Sequence, residues 1–496
     1  MSRYAAVVVG AGNAGLTAAV TLQRAGLDTL LVERHRVPGG CATSFRRGRF
    51  EFETALHQLS GVGRPDQPFS IREMFRRLDV LDSLEFVEEQ SVYRAAVPGV
   101  LDVVIPADWS RALDVLDAHF PGNRVAVERF FDLVRTVTFW QMAALKGARA
   151  SRIDRAYFDY ALRPLDSVLD ELITDDRLRY TLGAYWLYIG QPPSVVAFQD
   201  FALMLYAYME YKPWHVRGGS QAMSTALLSS FIRAGGTAVF STSVEHIRTR
   251  GGAVCGVELS DGDRIETDLV FSNASLPVTY DMLDVPAPER VRRDLATRRI
   301  GVSAFMLHMG LAATPDELGF VSSSSFLSVD THENSVPESW RRLDRARNVM
   351  VTNYDVEPIG FSPPDASHLS VLTLQYASAW DRVSPADYVR TKYRYAETLL
   401  DLVEAVTPGV RDVIEEVEVA TPLTVMRYLG HPGGAIYGYD QDPSESWVFR
   451  DSDRESHVPG LHLCGSWAGL GGFQPTLEAG ERIAQTAVAR RRLAAA

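Results

Sequence analysis

Gly10, Gly12 and Gly15 follow the apolar run AVVV and open a segment of helical pattern, giving G-x-G-x-x-G between a strand and a helix. That placement suits a phosphate ester. The first glycine permits a tight turn, the second lets backbone approach a pyrophosphate, and the third lets the helix pack on the strand, while the helix N-terminus draws the anion. Glu33 closes the next apolar run, TLLVE, where a carboxylate accepts hydrogen bonds from ribose hydroxyls. The pattern predicts a dinucleotide-binding βαβ unit. A glycine-rich turn without a ligand is the plainer alternative, and strand, helix and acid in register weigh against it.

A second glycine cluster closes the chain, in LHLCGSWAGLGGFQPTLEAG. Gly465 ends an apolar strand, and Gly469, Gly471 and Gly472 form a loop open to close backbone approach. Pro475 suits a first helical turn, Glu478 complements the positive helix end, and Arg490 to Arg492 complement the negative one. Such a helix can aim its N-terminus at a ring that gains negative charge on reduction, as a flavin does. An ordinary capped terminal helix would read the same way.

Between these clusters stand side chains suited to acid–base or orienting work: His57, Glu53, Arg217, Tyr437 and Gln474. A lone histidine is more often structural than catalytic. Trp467 and Phe473 flank the C-terminal glycines and are placed to touch substrate or ring. In RVPGGCATS, Cys41 follows Gly39 and Gly40, yet no resolving partner or base is identifiable for it, and a reactive thiol needs such neighbours. The two glycines are the expected functional pair. Cys41, Cys255 and Cys464 form no CxxC pair and no zinc spacing, so no metal is expected and a reduced, cytoplasmic protein fits. No Ser/His/Asp arrangement with a nucleophile elbow appears.

The elements that must position these residues follow from length and pattern. A chain of 496 residues exceeds the size at which one core stops growing, so two domains, or one with a large insertion, are expected. Hydrophobic content of 46% with 23% charged residues is that of a globular enzyme, and the net charge of −12 opposes a nucleic-acid footprint. From about 66 to 190 the pattern reads as helical, as in VERFFDLVRTVTFWQMAAL. A hairpin is expected to turn at Gly251-Gly252, followed by a buried strand in DLVFSNAS. The uncharged run Tyr180–Gln199 is interrupted by Gly190 and Pro192-Pro193, which argues against a membrane span. The first strand begins at about Tyr4, so no signal peptide is expected ahead of it.

PGGCATSF, RGGSQAMSTALLSSF, FSNAS, GHPGGAIYGYDQ and LHLCGSWAGLGGF together resemble the FAD-dependent phytoene desaturase, carotenoid cis-trans isomerase and retinol saturase superfamily. Cysteine after the two glycines, and GGAIYGYDQ, resemble its isomerase and saturase branch. The resemblance implies an α/β fold: a discontinuous Rossmann-like FAD-binding domain of the GR2 type, with an inserted α+β substrate-binding domain. It divides the chain into 1–65, 215–275 and 421–496 for FAD, and 66–214 and 276–420 for substrate. It implies that Gly10, Gly12, Ala14 and Gly15 hold the pyrophosphate, Glu33 the adenosine ribose, and that Val244 contacts adenine. Gly39, Gly40 and Cys41 would run along the flavin, with Gly465, Ser466, Gly472 and Phe473 at the ribityl chain and isoalloxazine. FEFETALHQLSG departs from the pattern, since Glu53 and Thr54 stand where aspartate and glycine are expected, which bears on the substrate more than on the cofactor.

Three functional readings result. The first is a flavoenzyme that desaturates, saturates or isomerises an apolar conjugated polyene or isoprenoid, with residues 185–214, YWLYIGQPPSVVAFQDFALMLYAYMEYKPW, lining a dry tunnel or serving as core. The second is an amine or amino-acid oxidase of the same architecture, which wants a polar anchor for its substrate's charge. The third is a non-enzymatic binder of prenylated proteins. An apolar substrate favours peripheral membrane contact, which the negative net charge opposes for anionic lipid.

Overall fold

The computed structural model describes residues 2–145, 147, 149, 153–443 and 456–495. Among these, one five-stranded sheet is parallel throughout: Ala6–Val9 (β1), Thr29–Val32 (β2), Thr237–Val239 (β3), Val270–Ser272 (β4) and Leu461–Leu463 (β5), in the order β3-β2-β1-β4-β5. The sequences AVVV and TLLV are apolar at every position because both faces are covered. Ala6 and Val8 face a core shared with the helices Asn13–Arg24 (α1), Gly219–Arg233 (α2) and Phe473–Ala495 (α3). Val7 and Val9 face the other way, toward the antiparallel strands Val244–Arg250 and Ala253–Leu259. Those strands turn at Gly251-Gly252, both at positive φ (61° and 82°), as the sequence predicts. Strands β2 and β4 lie on opposite sides of β1, which makes its carboxyl end the switch point where such sheets bind ligands.

Helix α3 crosses α1 at backbone contact. Gly480 makes this possible, since a Cβ there would stand 2.1 Å from the Ala14 carbonyl oxygen. The Thr17 hydroxyl donates to the Leu477 carbonyl at 2.9 Å at the same crossing.

The second large sheet has seven strands in the order Leu101–Pro106, Ser91–Val97, Ser324–Ser328, Asn348–Asn353, Ser367–Gln375, Ser303–Leu311 and Ile414–Ala420. It is antiparallel except where Ser91–Val97 meets Ser324–Ser328. Alternate residues face opposite cores. Met306, Phe326, Met350 and Leu372 pack under a helical layer that includes Arg124–Leu145 and Phe198–Tyr211. Phe305, Leu307, Val349 and Val351 pack on the helix Tyr388–Glu404.

Two sequence expectations change here. The helical reading of 66–190 fails at Ser91–Pro106, a hairpin turning at Pro98-Gly99, where Gly99 has φ 73° and, on the second strand, buried Val103 and Ile105 alternate with the more open Asp102 and Val104. The helix Ser70–Arg77 also packs beside α3, with Ile71, Met74 and Phe75 in the core that α3 shares with α1. A short hairpin, Ser44–Arg47 with Phe50–Glu53, joins the two sheets. Phe50 fits against Gly310, where a Cβ would come within 2.3 Å of its ring, and Phe52 packs edge-on to His368 at 4.9 Å.

Candidate active site

The glycine loop at the end of β1 is built for close approach. Gly10 has φ 91°, and a Cβ on Gly15 would stand 1.9 Å from the Gly10 carbonyl. Helix α1 starts after Gly12 with no side-chain cap and no acidic residue in its first turn, so the N–H groups around Ala14 face outward without a competing anion. Glu33 is buried. Its Oε2 accepts from Ala11 N at 2.7 Å and its Oε1 from His35 N at 2.8 Å, which leaves lone pairs on both oxygens for ribose hydroxyls. Thr242 N donates to the Glu33 carbonyl, which brings the buried Val244 strand to the same edge.

The Gly39-Gly40 loop lies against the first. Gly39 N donates to Ala11 O at 2.7 Å, and Gly39 and Gly40 take φ of 124° and 61°. The polar face of α2 holds this loop. Gln221 Nε2 donates to Pro38 O, Thr43 Oγ1 donates to Gln221 Oε1, and Ser224 Oγ donates to Ala42 O at 2.8 Å. RGGSQAMS therefore clamps PGGCATS. Cys41 belongs to that clamped loop, its carbonyl taken by the Thr54 hydroxyl, and burial pushes its thiol up to about 11.

Glu53 is the second half of the clamp. Five donors converge on it: Thr54 N, Ala55 N, Leu56 N and Ser220 Oγ at Oε1, and Ser220 N at Oε2. Burial pushes this carboxyl up while those hydrogen bonds pull it back, and a ring of donors alone fits the ionised form. Four of the five donors grip Oε1 and the fifth holds Oε2, which fixes the carboxylate between two elements, so it is an anchor rather than the acid or base expected of it. Gly219 has φ 64°, and a Cβ there would strike both Phe361 and Glu53, which explains the second glycine of RGGS.

A residue the sequence reading passed over unites the glycine loops. Asn273, from FSNAS, bonds through its N–H to Val9 O, and its side chain fills the space a Cβ would need at Gly12 (2.6 Å) and at Gly465 (2.5 Å). Gly465 and Gly472 have φ of 92° and 108°, Ser466 lies in a short 3₁₀ turn, and Phe473 starts α3. Gln474 is locked: it accepts from the Ser60 hydroxyl at 2.7 Å and donates to Ser70 Oγ and Glu478 Oε1. Its role is to join the loop after His57 to the start of α3. Arg217 lies on the surface, paired with Glu85 at 2.8 Å and donating to Pro358 O, so it takes no part in the site. Trp467 is buried against Tyr439 and His431, with its indole N–H lacking a partner among the described residues.

Facing the Gly471 loop is a wall of phenols and neutral rings. Tyr437 sits between Gly471, where a Cβ would stand 2.9 Å from its own, and Gly190. Burial pushes the hydroxyls of Tyr437, Tyr188 and Tyr208 up, and the neighbouring phenols of Tyr208 and Tyr437 add to this at Tyr188. Tyr208 donates to Gln58 O and Tyr185 to Gln58 Oε1, while Gln58 Nε2 donates to Glu89 at 2.7 Å. Glu89 is fully buried and held well above the usual carboxylate range by desolvation, with Glu357 adding to it. His57 connects to these phenols through Tyr354, which feels the Tyr188 hydroxyl; its Nδ1 lies 2.9 Å from the Tyr354 hydroxyl and 3.2 Å from that of Thr352. Of the aromatic stretch 185–214, Tyr185, Trp186, Phe198 and Phe201 are core, whereas Tyr188 is only half-buried. No cluster of three or more His, Cys, Asp or Glu among the described residues could hold a metal.

Comparison with known proteins agrees with this geometry. The family described as flavin containing amine oxidoreductase matches residues 13–488. The chain belongs to that family. It is 25% identical over 514 residues to an all-trans-retinol 13,14-reductase of Danio rerio, covering 95% of this chain and 84% of that protein. It is 25% identical over 488 residues to a lycopene-forming phytoene desaturase of a Paracoccus species, covering 93% and 92%. A putrescine oxidase structure aligns over 98% of this chain and 99% of its own, with TM-score 0.68 at 16% identity, which shows the fold. The chain is thus an FAD-dependent oxidoreductase of the phytoene desaturase and retinol saturase superfamily. Family membership ranks both enzymatic readings above the non-enzymatic one.

Proposed function

We propose that this protein is an FAD-dependent oxidoreductase acting on an apolar conjugated polyene. The observation that carries the reading is the wall opposite the C-terminal glycine loop. Tyr188, Tyr208, Tyr437 and His57 present rings and neutral polar atoms, as a hydrocarbon chain requires. The carboxyls around that wall are poorly suited to anchor an ammonium group: Glu53 is held by five donors, and Glu89 is fully buried, bonded to Gln58 and pushed well above the usual carboxylate range by desolvation. This disfavours the amine-oxidase reading. The names of the retinol reductase and phytoene desaturase relatives point the same way.

FAD fits the residues present. The uncapped start of α1 at Gly12, Ala14 and Gly15 suits its pyrophosphate, and the half-free carboxylate of Glu33 its ribose. The strand at Val244 would flank the adenine, with Gly39, Gly40 and Cys41 beside the flavin and Gly465, Ser466, Gly472 and Phe473 at its ring. Bound there, FAD supplies hydride chemistry, while the chain orients the substrate and excludes water. The division 1–65, 215–275 and 421–496 against 66–214 and 276–420 belongs to the same proposal, with 444–455 lying outside the described residues and Ser70–Arg77 assigned to the nucleotide side.

Peripheral contact with a bilayer, from which such a substrate would be drawn, is supported by Phe139 and Phe158, on two helices in contact, and by Leu162 in the turn after the second, each about 60% exposed. No helix among the described residues is long and apolar enough to cross a membrane. Phe139→Ser with Phe158→Ser should weaken co-sedimentation with phosphatidylcholine vesicles while FAD stays bound; unchanged sedimentation rejects this surface.

Anaerobic incubation with all-trans-retinol and with phytoene, using oxidised and reduced protein, tests the main reading. A product two hydrogens heavier or lighter supports it. Oxidation of putrescine with peroxide release, and no change in either polyene, refutes it.

A further inference from the structure

His57 is sealed on one side and open on the other. Its Nδ1 faces the Tyr354 and Thr352 hydroxyls, while the ring as a whole is half-buried, so its accessible edge is the Nε2 edge. Tyr354 is fixed in place, fully buried and stacked on His368 with centroids 4.6 Å apart. A buried phenol O–H needs an acceptor, and among the described residues His57 Nδ1 is the acceptor within reach of it. A ring nitrogen that accepts a hydrogen bond carries no proton, so in the neutral ring the proton sits on Nε2.

What stands behind the ring matters as much as the tautomer. A base that takes a proton at Nε2 is served by a carboxylate behind Nδ1, which stabilises the imidazolium. Here two hydroxyls stand behind Nδ1. Hydroxyl donors stabilise negative charge on the ring, which is the charge that grows when Nε2 gives its proton away. Burial also pulls the ring to about 4, so His57 is neutral at ordinary pH.

We propose that His57 is the proton donor of this site, delivering its Nε2 proton to a substrate carbon, so that the protein adds hydrogen across a double bond rather than removing it. The proposal rests on the polyene reading above. In balance, the double bond is lost as one carbon gains a hydride, with its electron pair, from reduced FAD, and the other gains the Nε2 proton. FAD is oxidised by two electrons, and the ring recovers a proton from solvent. Tyr354 and Thr352 are positioning residues that set the tautomer.

The test uses the FAD-loaded protein with ¹⁵N-labelled histidine, and all-trans-retinol as the probe. Nitrogen resonances assigned to His57 by their loss in His57→Gln should show the Nε2–H tautomer, and Tyr354→Phe should shift them toward Nδ1–H. Anaerobic turnover of reduced protein in heavy water should add two hydrogens, one of them deuterium. His57→Gln, still binding FAD, should lose about 100-fold or more in this rate. Tyr354→Phe should lose about fivefold to tenfold in kcat with KM unchanged. An Nδ1–H tautomer in the wild type, or His57→Gln within a few-fold of wild type, overturns the proposal, as does removal of hydrogen from phytoene without addition to retinol. If the wild type converts neither polyene in either flavin state, the polyene reading itself fails and takes this proposal with it.

Discussion

Glu53 receives the backbone N–H of Ser220 at 2.8 Å and its hydroxyl at 2.7 Å, and so ties the strand after the Gly39-Gly40 loop to the helix that clamps that loop. The first prediction follows from this anchor. Glu53→Gln keeps the shape but turns one acceptor toward its donors as an amide NH₂. It should destabilise the protein by about 2–4 kcal/mol, since unsatisfied buried donors cost about 1–3 kcal/mol each. Flavin fluorescence should report FAD release at a lower temperature than in the wild type. A stable, fully loaded but inactive variant would instead assign Glu53 to the chemistry.

Gly480→Ala sets two effects against each other. Alanine favours a helix interior by about 1 kcal/mol over glycine, but here its Cβ would stand 2.1 Å from Ala14 O and 2.2 Å from Thr17 Oγ1. Overpacking of this kind costs about 1–3 kcal/mol, so the clash should win. Urea unfolding is expected to show a lower midpoint, and a rise in the midpoint would mean that the helices part freely.

Cys41→Ala should keep FAD and most activity. The thiol is pushed up to about 11 by burial, which leaves it protonated and a poor nucleophile. Loss of turnover with FAD still bound would show that the sulfur matters.

Burial pulls His308 to about 3, between Phe45, Phe52 and His368, with His57 close enough to lower it further. Its folded value lies below the unfolded one, so the unfolded chain binds the extra proton. Its contribution to stability is intact above about pH 6.5 and is lost as pH falls toward 3, at about 1.4 kcal/mol per pH unit within that window. The raised carboxyls of Asp200 (about 6) and Glu333 (about 8) shift stability in the opposite sense. Comparison with His308→Gln isolates the histidine: melting points of wild type and variant should converge between pH 6.5 and 4, and a constant gap would show that His308 does not titrate as described.

The parallel sheet is legible because AVVV and TLLV are apolar at every position, a pattern that only a strand covered on both faces needs. The nucleotide cradle is legible because its parts lie within one βαβ unit. What the residue pattern hides is long-range. RGGSQAMS stands out as a motif, yet nothing local says that Ser220, Gln221 and Ser224 grip a loop some 180 residues earlier. The partners of His57 lie some 300 residues downstream, in a strand and turn with no motif of their own. Arg217 sits beside the conspicuous glycines, but its pairing with Glu85 depends on how Phe86–Glu88 meets Trp214–Val216. Asn273 lies in FSNAS, and the place of its short amide, wedged where two glycines lack side chains, is defined only when both loops are in position.

Hydrogen exchange between a polyene and the flavin of this protein is open to direct measurement by anaerobic stopped-flow mixing of the reduced protein with all-trans-retinol. The visible absorption of oxidised flavin should return as a retinol product two hydrogens heavier forms, in equal amounts. Flavin that stays reduced in the presence of retinol, yet is reduced from its oxidised state by putrescine, would contradict the polyene reading.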